Sequence, residues 1–427
     1  MKNFTHLFLV IVLLVAVPFL TYSQENADTL NIETDTTITV LDSLPTQLFL
    51  DSLSLAEYEN HLEMMLHNFY LMKLSDNSDS CDVEKFTPVY CSDSVYIERL
   101  QQLPYIMEMP FNSVVKSFIE MYAKRDKQIG RMLGVGNRYY FSLFEEALER
   151  YNVPFEMRYL PIIESGLNPQ ATSYVGAKGL WQFMAATGKY YKLEVNSLVD
   201  ERCDPIKSSD AAARYLSDLY QMYGDWHLVI AAYNCGPGNV AKAIRHADGK
   251  RNYWDIYPYL PRETRNYVPI FIAANYILNY HKEHNICATE PDYELITDTI
   301  MVTDRVHLSQ ISEVLSISID ELRYLNPQYR ADIIPGNTKP YSLVLPMKDI
   351  NGYTENRDTI LAYKTELIER QLKVEPKEAS VITYKVKSGD TLGGIASRYK
   401  VSVANIQKWN GLKSTTIRIG QNLKIHK

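Results

Sequence analysis

The stretch IIESGLNP, residues 162–169, places one carboxylate, Glu164, after two β-branched residues and two positions before Gly166. The preceding residues 149–163 (ERYNVPFEMRYLPII) predict a helix that ends at this glycine. Glu164 then lies at the negative end of the helix dipole among apolar neighbours, and both effects raise the pKa of its carboxyl group. A carboxyl group that stays protonated near neutral pH can act as a general acid. The alternative is a frayed helix end whose glutamate points into water.

The bulk properties indicate a multidomain exported protein. The chain has 427 residues, and its net charge of −7 argues against a nucleic-acid partner. Lys2 and the apolar run at residues 7–20 predict a signal peptide over residues 1–23, with an uncleaved membrane anchor as the alternative. Residues 23–72 contain no Lys or Arg, and residues 24–94 are predicted to form an acidic N-terminal arm.

Apolar residues recur at helical spacing from about residue 95 to residue 280, which predicts an all-helical region. Residues 208–224 (SSDAAARYLSDLYQMYG) are typical of a helix that is capped by Ser208 or Ser209 and ends at Gly224. Asp225 is expected to cap the following helix, and Asn239 the helix after the break at residues 236–238.

Two copies of a shorter pattern follow, at residues 290–348 and 382–427, with a charged linker at residues 349–380 between them. Each copy is predicted to contain a strand, two helices and a strand. Their apolar positions match at a constant offset of 84 residues without a gap, which indicates an internal repeat: Ile311 with Ile395, Leu315 with Tyr399, Ile317 with Val401, Ile319 with Val403, Leu322 with Ile406, Leu325 with Trp409, and Asn326 with Asn410.

Three further motifs follow the glutamate: SYVGAKGLWQF at residues 173–183, AAYNCGPG at residues 231–238 and PRETRNYVP at residues 261–269. Together with ESGLNP they resemble the lytic transglycosylases with a goose-lysozyme-like (SLT) catalytic domain, most closely the murein transglycosylase D group. The resemblance implies an all-α lysozyme-like catalytic domain over residues 95–288. Two departures are Tyr174, where many relatives carry proline or arginine, and Cys235, where alanine is frequent.

The resemblance also implies a role for individual side chains. Glu164 would be the catalytic acid and base, and Tyr267 would orient it or face the developing charge. The remaining substrate-binding residues would be Ser173 and Gln182, which line the cleft, and Tyr233 and Asn234, which contact the substrate near the acid.

The residue types favour a reaction with a single acid. Glycoside hydrolysis ordinarily needs two carboxylates, but the other motifs offer only Glu263, which is better interpreted as a helix-capping residue. One acid suffices if the muramyl C6 hydroxyl of peptidoglycan attacks C1 and gives a 1,6-anhydro end, since Glu164 can first donate and then accept a proton. The aromatic faces of Trp181 and Tyr233 suit sugar rings, with core packing as the alternative for Trp181.

The C-terminal copy resembles a LysM module, which binds glycans that contain N-acetylglucosamine. The resemblance implies that the GDTL signature contacts the glycan: Gly389, Asp390, Thr391 and Leu392. The first copy has RVHL at residues 305–308 instead, so it is interpreted as a degenerate LysM-like domain that serves as a spacer or as a docking surface against the catalytic domain. The predicted fold class is therefore an all-α catalytic domain followed by two small α+β (βααβ) domains.

Five cysteines in an exported chain predict disulfides. Cys203 and Cys235 are the candidate pair, because antiparallel helices could bring them together, and Cys81 and Cys91 could close a small loop. His281, His284 and Cys287 have no evident fourth ligand, so neither a metal nor a cofactor is predicted.

The sequence thus predicts a peptidoglycan lytic transglycosylase that cleaves the MurNAc–GlcNAc β-1,4 bond and forms 1,6-anhydroMurNAc ends. A goose-type lysozyme-like hydrolase and a non-catalytic peptidoglycan-binding scaffold are the alternatives. The expected partners are peptidoglycan glycan strands and other cell-wall enzymes, and the chain is expected to be a monomer. The expected location is the periplasm or cell envelope, in association with the wall or the membrane.

Overall fold

The computed structural model describes residues 87–289, 296–368, 381–399, 401–412 and 414–426. The predicted signal peptide and all but the last few residues of the acidic arm lie outside these ranges. In the part of the chain that is described, no helix is both long and apolar enough to cross a membrane.

The described residues before position 290 are helical, as predicted, and the β-pairs recorded there are isolated bridges. A π-helical turn lies at Gly136–Tyr140, and 3-10 turns occur at Phe155–Tyr159, Tyr257–Tyr259 and Lys282–His284. The α-helices are α1 (Asp93–Gln102), α2 (Ser113–Ala123), α3 (Asp126–Val135), α4 (Phe141–Arg150), α5 (Leu160–Ser165), α6 (Ala185–Tyr190), α7 (Pro205–Tyr223), α8 (Trp226–Cys235), α9 (Pro237–His246), α10 (Tyr253–Ile256), α11 (Arg262–Arg265) and α12 (Tyr267–Asn279).

Helix α12 forms the centre of this core. Every residue of Tyr267–Leu278 is buried, and the helix packs against α2, α5 and α8. A helix that is buried on all sides must be apolar around its whole circumference, as this sequence is. The packing fixes α5, which carries Glu164, against the middle of the domain.

Helix boundaries follow the predictions at some positions and not at others. Gly224 ends α7 in a left-handed conformation, and Asp225 caps α8 by accepting a hydrogen bond from Leu228 N, both as predicted. The predicted cap of α7 is wrong: Asp204 accepts from the first-turn amides, and Ser208 and Ser209 lie inside the helix. Asn239 likewise lies inside α9, which begins at Pro237. In each case a proline at the first helical position moves the start upstream.

The first LysM-like copy consists of β1 (Thr297–Val302), β2 (Arg305–His307), α13 (Leu308–Leu315), α14 (Ile319–Leu325), β3 (Ile333–Pro335) and β4 (Tyr341–Pro346). Strand β1 pairs antiparallel with β4, and β2 pairs antiparallel with β3. The β2–β3 pair is an addition to the predicted strand–helix–helix–strand order.

Two short helices, α15 (Ile350–Glu355) and α16 (Arg357–Ala362), occupy the start of the region interpreted as a linker. Tyr353 and Ile360 are buried in the core of the first copy. The folded copy therefore extends beyond residue 348. The sequence did not predict this, because two such short helices contain too few apolar positions to show a periodic pattern in a charged segment.

The terminal copy has the predicted order, with β5 (Val381–Lys385), α17 (Leu392–Tyr399), α18 (Val403–Asn410) and β6 (Asn422–His426). Strands β5 and β6 pair antiparallel. The helices of the two copies keep the offset of 84 residues, since α13 begins at Leu308 and α17 at Leu392. The matched residues Ile311 and Ile395 are buried in their respective cores.

Candidate active site

Glu164 lies in the last turn of α5, as predicted, but this helix is a single short segment. The expected continuous helix is interrupted, because the chain leaves α4 at Arg150 and passes through a 3-10 turn before α5 begins. Gly166 ends α5 with a φ of 59°, and Leu167 also takes a left-handed conformation with a φ of 62°. Two successive left-handed residues turn the chain sharply, which leaves the end of α5 at the site rather than inside a longer helix.

Two features of its surroundings set the protonation of Glu164. Burial raises the pKa of its carboxyl group from 4.5 to about 7, as predicted, and a hydrogen bond from the Tyr267 hydroxyl to Oε1 acts in the opposite direction. Tyr267 is the first residue of α12, so the central helix holds the hydroxyl that contacts the acid. The carboxyl group is therefore largely protonated in mildly acidic solution and loses its proton close to neutral pH.

Tyr233 lies close enough to Glu164 for its own ionisation to be affected. Burial raises the pKa of Tyr233 well above its ordinary value, and the charge of Glu164 adds to the effect. The Tyr233 hydroxyl donates to the carbonyl oxygen of Trp181 at 2.7 Å. The motif at residues 231–238 is thus hydrogen-bonded to the motif at residues 173–183 beside the carboxyl group of Glu164.

Trp181 is a core residue. Its side chain is fully buried, and its indole nitrogen donates to Ser209 Oγ at 2.9 Å. Its ring packs edge to face on Phe144, with the ring centroids 5.2 Å apart. Core packing, which the sequence left open, is therefore the role of this ring, and of the two aromatic candidates only Tyr233 remains for a sugar.

The 173–183 loop carries Ser173 and Gln182, and both are partly exposed. Ser173 Oγ accepts from the amide of Ala177 at 3.0 Å, which closes the turn at the tip of the loop. The Gln182 amide nitrogen donates to the carbonyl oxygens of Gly179 at 2.8 Å and Ala171 at 3.3 Å. The loop is therefore braced by the same polar side chains that the sequence assigns to the substrate.

The 173–183 loop is also fastened to α5. Ser165, the residue after the glutamate, is buried and donates from its hydroxyl to the carbonyl oxygen of Leu180 at 2.9 Å. This bond holds the part of the loop around Leu180 against the end of α5.

Asn234 is exposed, and its Oδ1 accepts from Thr264 Oγ1 at 2.9 Å. This bond joins the motif at residues 231–238 to the motif at residues 261–269. Glu263, the other carboxylate in the motifs, is an exposed residue in the first turn of α11. The cap residue of this helix is Pro261 and no side chain caps it, so Glu263 is not the predicted capping residue.

In the terminal copy Gly389, Asp390 and Thr391 lie in the turn between β5 and α17, and Leu392 is the first residue of α17. Gly389 has a φ of 85°, and Asp390 Oδ2 accepts from the amide of Lys387 at 2.8 Å and the hydroxyl of Tyr384 at 2.7 Å. Thr391 Oγ1 accepts from the amide of Gly394. Leu392 is 1 % exposed in the core, so its side chain supports the turn from inside and does not line a groove. The first copy has a strand at the corresponding Arg305–His307.

The predicted Cys203–Cys235 disulfide is wrong, because both are free thiols. Helix α8 runs back beside α7, and the ring centroid of its Tyr233 lies 5.4 Å from that of Tyr215 on α7. Cys203 precedes the far end of α7, which begins at Pro205, and about 15 Å of helix separates Pro205 from Tyr215. A disulfide needs Cα atoms within about 7 Å.

The other predicted cysteine pair also fails. Cys91 is a free thiol, so it is not joined to Cys81, which lies outside the described residues, whereas Cys287 is disulfide-bonded. His284 is buried, with Nδ1 2.6 Å from the carbonyl oxygen of Val89 and Nε2 3.1 Å from the Tyr276 hydroxyl. Over the described ranges, no group of three or more His, Cys, Asp or Glu side chains is arranged to hold a metal ion.

Sequence reasoning missed the burial of residues 200–204 (DERCD), four of which are charged and all of which are at most 5 % exposed. Asp200 and Arg202 form a bidentate ion pair, with Nε–Oδ1 and Nη2–Oδ2 distances of 2.8 and 2.9 Å. A run of charges ordinarily indicates a solvated surface, and the sequence carries no signal that would have placed this one inside.

Three family models match separate parts of the chain. Residues 142–256 match the family model of the transglycosylase SLT domain. Residues 296–362 match the model described as the lytic transglycosylase MltD, LysM-like domain, and residues 384–426 match the LysM domain. The chain is thus a transglycosylase-domain protein with two C-terminal LysM-type domains.

Among individual proteins, the membrane-bound lytic murein transglycosylase D of Escherichia coli (strain K12) is 30% identical over 323 residues, which cover 75% of this chain and 70% of that protein. The chain belongs to the membrane-bound lytic murein transglycosylase D family. The soluble lytic murein transglycosylase of the same strain is 32% identical over 123 residues, 27% of this chain and 19% of that protein. The solved 70 kDa soluble lytic transglycosylase of Escherichia coli aligns with a TM-score of 0.32 at 19% identity, over 57% of this chain and 47% of that one.

Proposed function

We propose that this protein is a peptidoglycan lytic transglycosylase in which Glu164 is both the acid and the base. The observation that carries the proposal is the carboxyl group of Glu164, whose pKa burial raises to about 7 while Tyr267 donates a hydrogen bond to it. A group with this pKa exchanges its proton in either direction near neutral pH. Membership of the family supports the substrate class.

The reaction would begin with protonation of the glycosidic oxygen between MurNAc and GlcNAc by Glu164. As the C1–O bond breaks, positive charge develops on the sugar, and the resulting carboxylate of Glu164 lies next to it. The muramyl C6 hydroxyl then attacks C1, and Glu164 takes the hydroxyl proton. A new C6–O–C1 bond replaces the glycosidic bond, and Glu164 returns to its protonated state without the use of water.

The remaining site residues would bind and orient the glycan. Tyr233 and Asn234 lie on the motif beside the acid, and Ser173 and Gln182 lie on the 173–183 loop. Because the Gln182 amide nitrogen is bonded to backbone carbonyls, its carbonyl oxygen is the atom we assign to the acetamido or hydroxyl groups of the sugar. Tyr267 would act through Glu164.

The domains would divide the work. We infer that residues 95–288 cleave the glycan and that residues 382–427 hold it through the turn at Gly389, Asp390 and Thr391. Export through residues 1–23 to the periplasm or cell envelope is part of this proposal, because the substrate lies outside the cytoplasm.

The test is muropeptide release from purified sacculi by the full-length protein and by Glu164→Gln. Glutamine keeps the size and the hydrogen-bond acceptor for Tyr267 but cannot transfer a proton, so release should fall by at least about a thousandfold. Glu263→Gln, which changes an exposed carboxylate of the fourth motif, is the matched control and should keep wild-type activity. Loss of activity in the control, or its retention in Glu164→Gln, would refute the assignment of the acid.

A further inference from the structure

The first LysM-like copy is joined to the catalytic region by backbone pairing. Asp200 N donates to the carbonyl oxygen of Gln328 at 2.9 Å, and Arg330 N donates to that of Leu198 at 2.7 Å. Between them Val199 and Tyr329 form an antiparallel bridge. The segment before α7 is thus paired with the first copy through one antiparallel bridge.

Residues of each region are also buried in the core of the other region. Val199 of the catalytic region is fully buried within the core of the first copy. In the opposite direction, Tyr324 and Leu325 of the first copy are buried within the catalytic core, and the ring centroids of Tyr324 and Tyr139 are 6.4 Å apart. Each region therefore completes the apolar packing of the other, which is not expected of a module on a free tether.

A cluster of charges surrounds the buried carboxylate of Asp200 at this junction. The Asp200 side chain is 1 % exposed, and it accepts from Arg202 and from Nη2 of Arg330, with Lys178 Nζ at 3.8 Å. Burial would raise the pKa of Asp200, but the two guanidinium groups outweigh it and hold the pKa below its ordinary value. Asp200 is therefore ionised, and one of its two guanidinium partners comes from the first copy.

Arg202 also binds the 173–183 loop. Its Nη1 donates to the carbonyl oxygens of Gly176 and Phe183, at 3.0 Å each, so one guanidinium group holds the tip and the base of the loop. Gly179 lies directly against the Arg202 backbone, where a Cβ atom would come within 1.7 Å of the carbonyl oxygen. The loop is thus seated on Arg202, and Arg202 is fixed by Asp200.

We propose that Arg330 is a positioning residue of the active-site cleft: through Asp200 and Arg202, the first LysM-like copy holds the 173–183 loop and with it Ser173 and Gln182. This inference rests on the proposed function, because it assumes that the loop binds the glycan. It gives the degenerate copy a role in substrate binding that requires no glycan of its own.

Without Arg330, Asp200 keeps its bond to Arg202 but loses half of its guanidinium partners in a buried site. The carboxylate then attracts water and Lys178, and Arg202 shifts with it. Because the loop carries binding residues while Glu164 stays on α5, the expected effect is on KM rather than on the pH dependence of kcat.

The experiment compares full-length Arg330→Ala, Arg330→Gln and Arg330→Lys with the wild type. The substrate is a soluble peptidoglycan tetrasaccharide, and KM, kcat and the pH profile are measured for each. Arg330→Ala and Arg330→Gln should raise KM on the order of tenfold, with kcat within about threefold of wild type and the pH profile unmoved. Arg330→Lys keeps one positive charge, so its KM should lie between that of the wild type and that of Arg330→Ala.

The matched control is Arg323→Ala. Arg323 lies on the same copy and pairs with Asp332 at 2.7 Å and Asp320 at 3.2 Å on its exposed surface, so its loss should leave KM unchanged. Folded Arg330 variants with wild-type KM, or an equal rise in KM in the control, would overturn the proposal. If Arg330→Ala does not fold, Arg330→Gln and Arg330→Lys decide by the same criterion. A wild type that releases no product counts instead against the proposed function.

Discussion

Replacing Glu164 by glutamine should stabilise the protein at alkaline pH while it abolishes catalysis. Burial moves the pKa of the carboxyl group from 4.5 to about 7 in the folded state. Each unit of pKa corresponds to about 1.4 kcal/mol, so the ionised carboxylate destabilises the folded state by up to about 3 kcal/mol. Glutamine is neutral and its Oε1 still accepts the hydrogen bond from Tyr267, so this cost disappears.

The sign of the pH dependence follows from proton binding. Below pH 4.5 both states of the wild type are protonated, and the stabilising effect of the raised pKa is fully present. Between pH 4.5 and about 7 the unfolded state ionises while the folded state keeps its proton, so the wild type loses stability as the pH rises. Above about pH 7 both states are ionised and the loss is complete.

The assay is thermal unfolding followed by circular dichroism from pH 4 to pH 8.5, on wild type and Glu164→Gln. The glutamine amide does not titrate, so its own effect on the free energy of unfolding is the same at every pH. The informative quantity is therefore how the Tm difference between the two proteins changes with pH. It should grow in favour of Glu164→Gln by roughly 6 to 12 °C between the two ends of the range. Glu263→Gln should track the wild type. A Tm difference that stays constant with pH would refute the raised pKa and with it the argument for a general acid.

The remaining predictions concern the hydroxyl at the acid, the terminal copy and the thiols. Tyr267→Phe removes the hydrogen bond that opposes the rise in pKa, so the alkaline decline of kcat/KM should move to higher pH and kcat should fall about tenfold; an unmoved pH profile would contradict this. A chain that ends at residue 368 lacks the terminal LysM and should still cleave the tetrasaccharide but lose retention on insoluble peptidoglycan, and undiminished retention would refute the binding role of that copy. Alkylation of the unfolded, unreduced protein should label Cys203 and Cys235, and mass spectrometry that finds either in a disulfide would contradict the structure.

The sequence was informative where a local rule determines the structure. Gly166 and Gly224 ended their helices because a glycine adopts the left-handed conformation without strain. The raised pKa of Glu164 followed from its position and its apolar neighbours. The constant offset between the copies predicted both pairs of helices, because buried positions on a helix must recur at a fixed spacing.

Properties that depend on distant parts of the chain could not be read in this way. The Cys203–Cys235 prediction failed because the relative lengths of α7 and α8 decide how far the chain returns. The burial of Trp181 depends on Phe144 and Ser209. Asp200 accepts a hydrogen bond from Arg330, which lies 130 residues later in the chain, and no local sequence pattern predicts such a pair.

The central claim is that Glu164 promotes attack by the substrate's own hydroxyl and not by water. The most direct measurement is mass spectrometry of muropeptides released from sacculi by the purified protein in water enriched in heavy oxygen. We predict products with 1,6-anhydroMurNAc ends, each lighter by one water than the corresponding reducing-end product and free of the heavy isotope at C1. Reducing ends that carry one heavy oxygen atom at C1 would contradict the claim and identify a hydrolase.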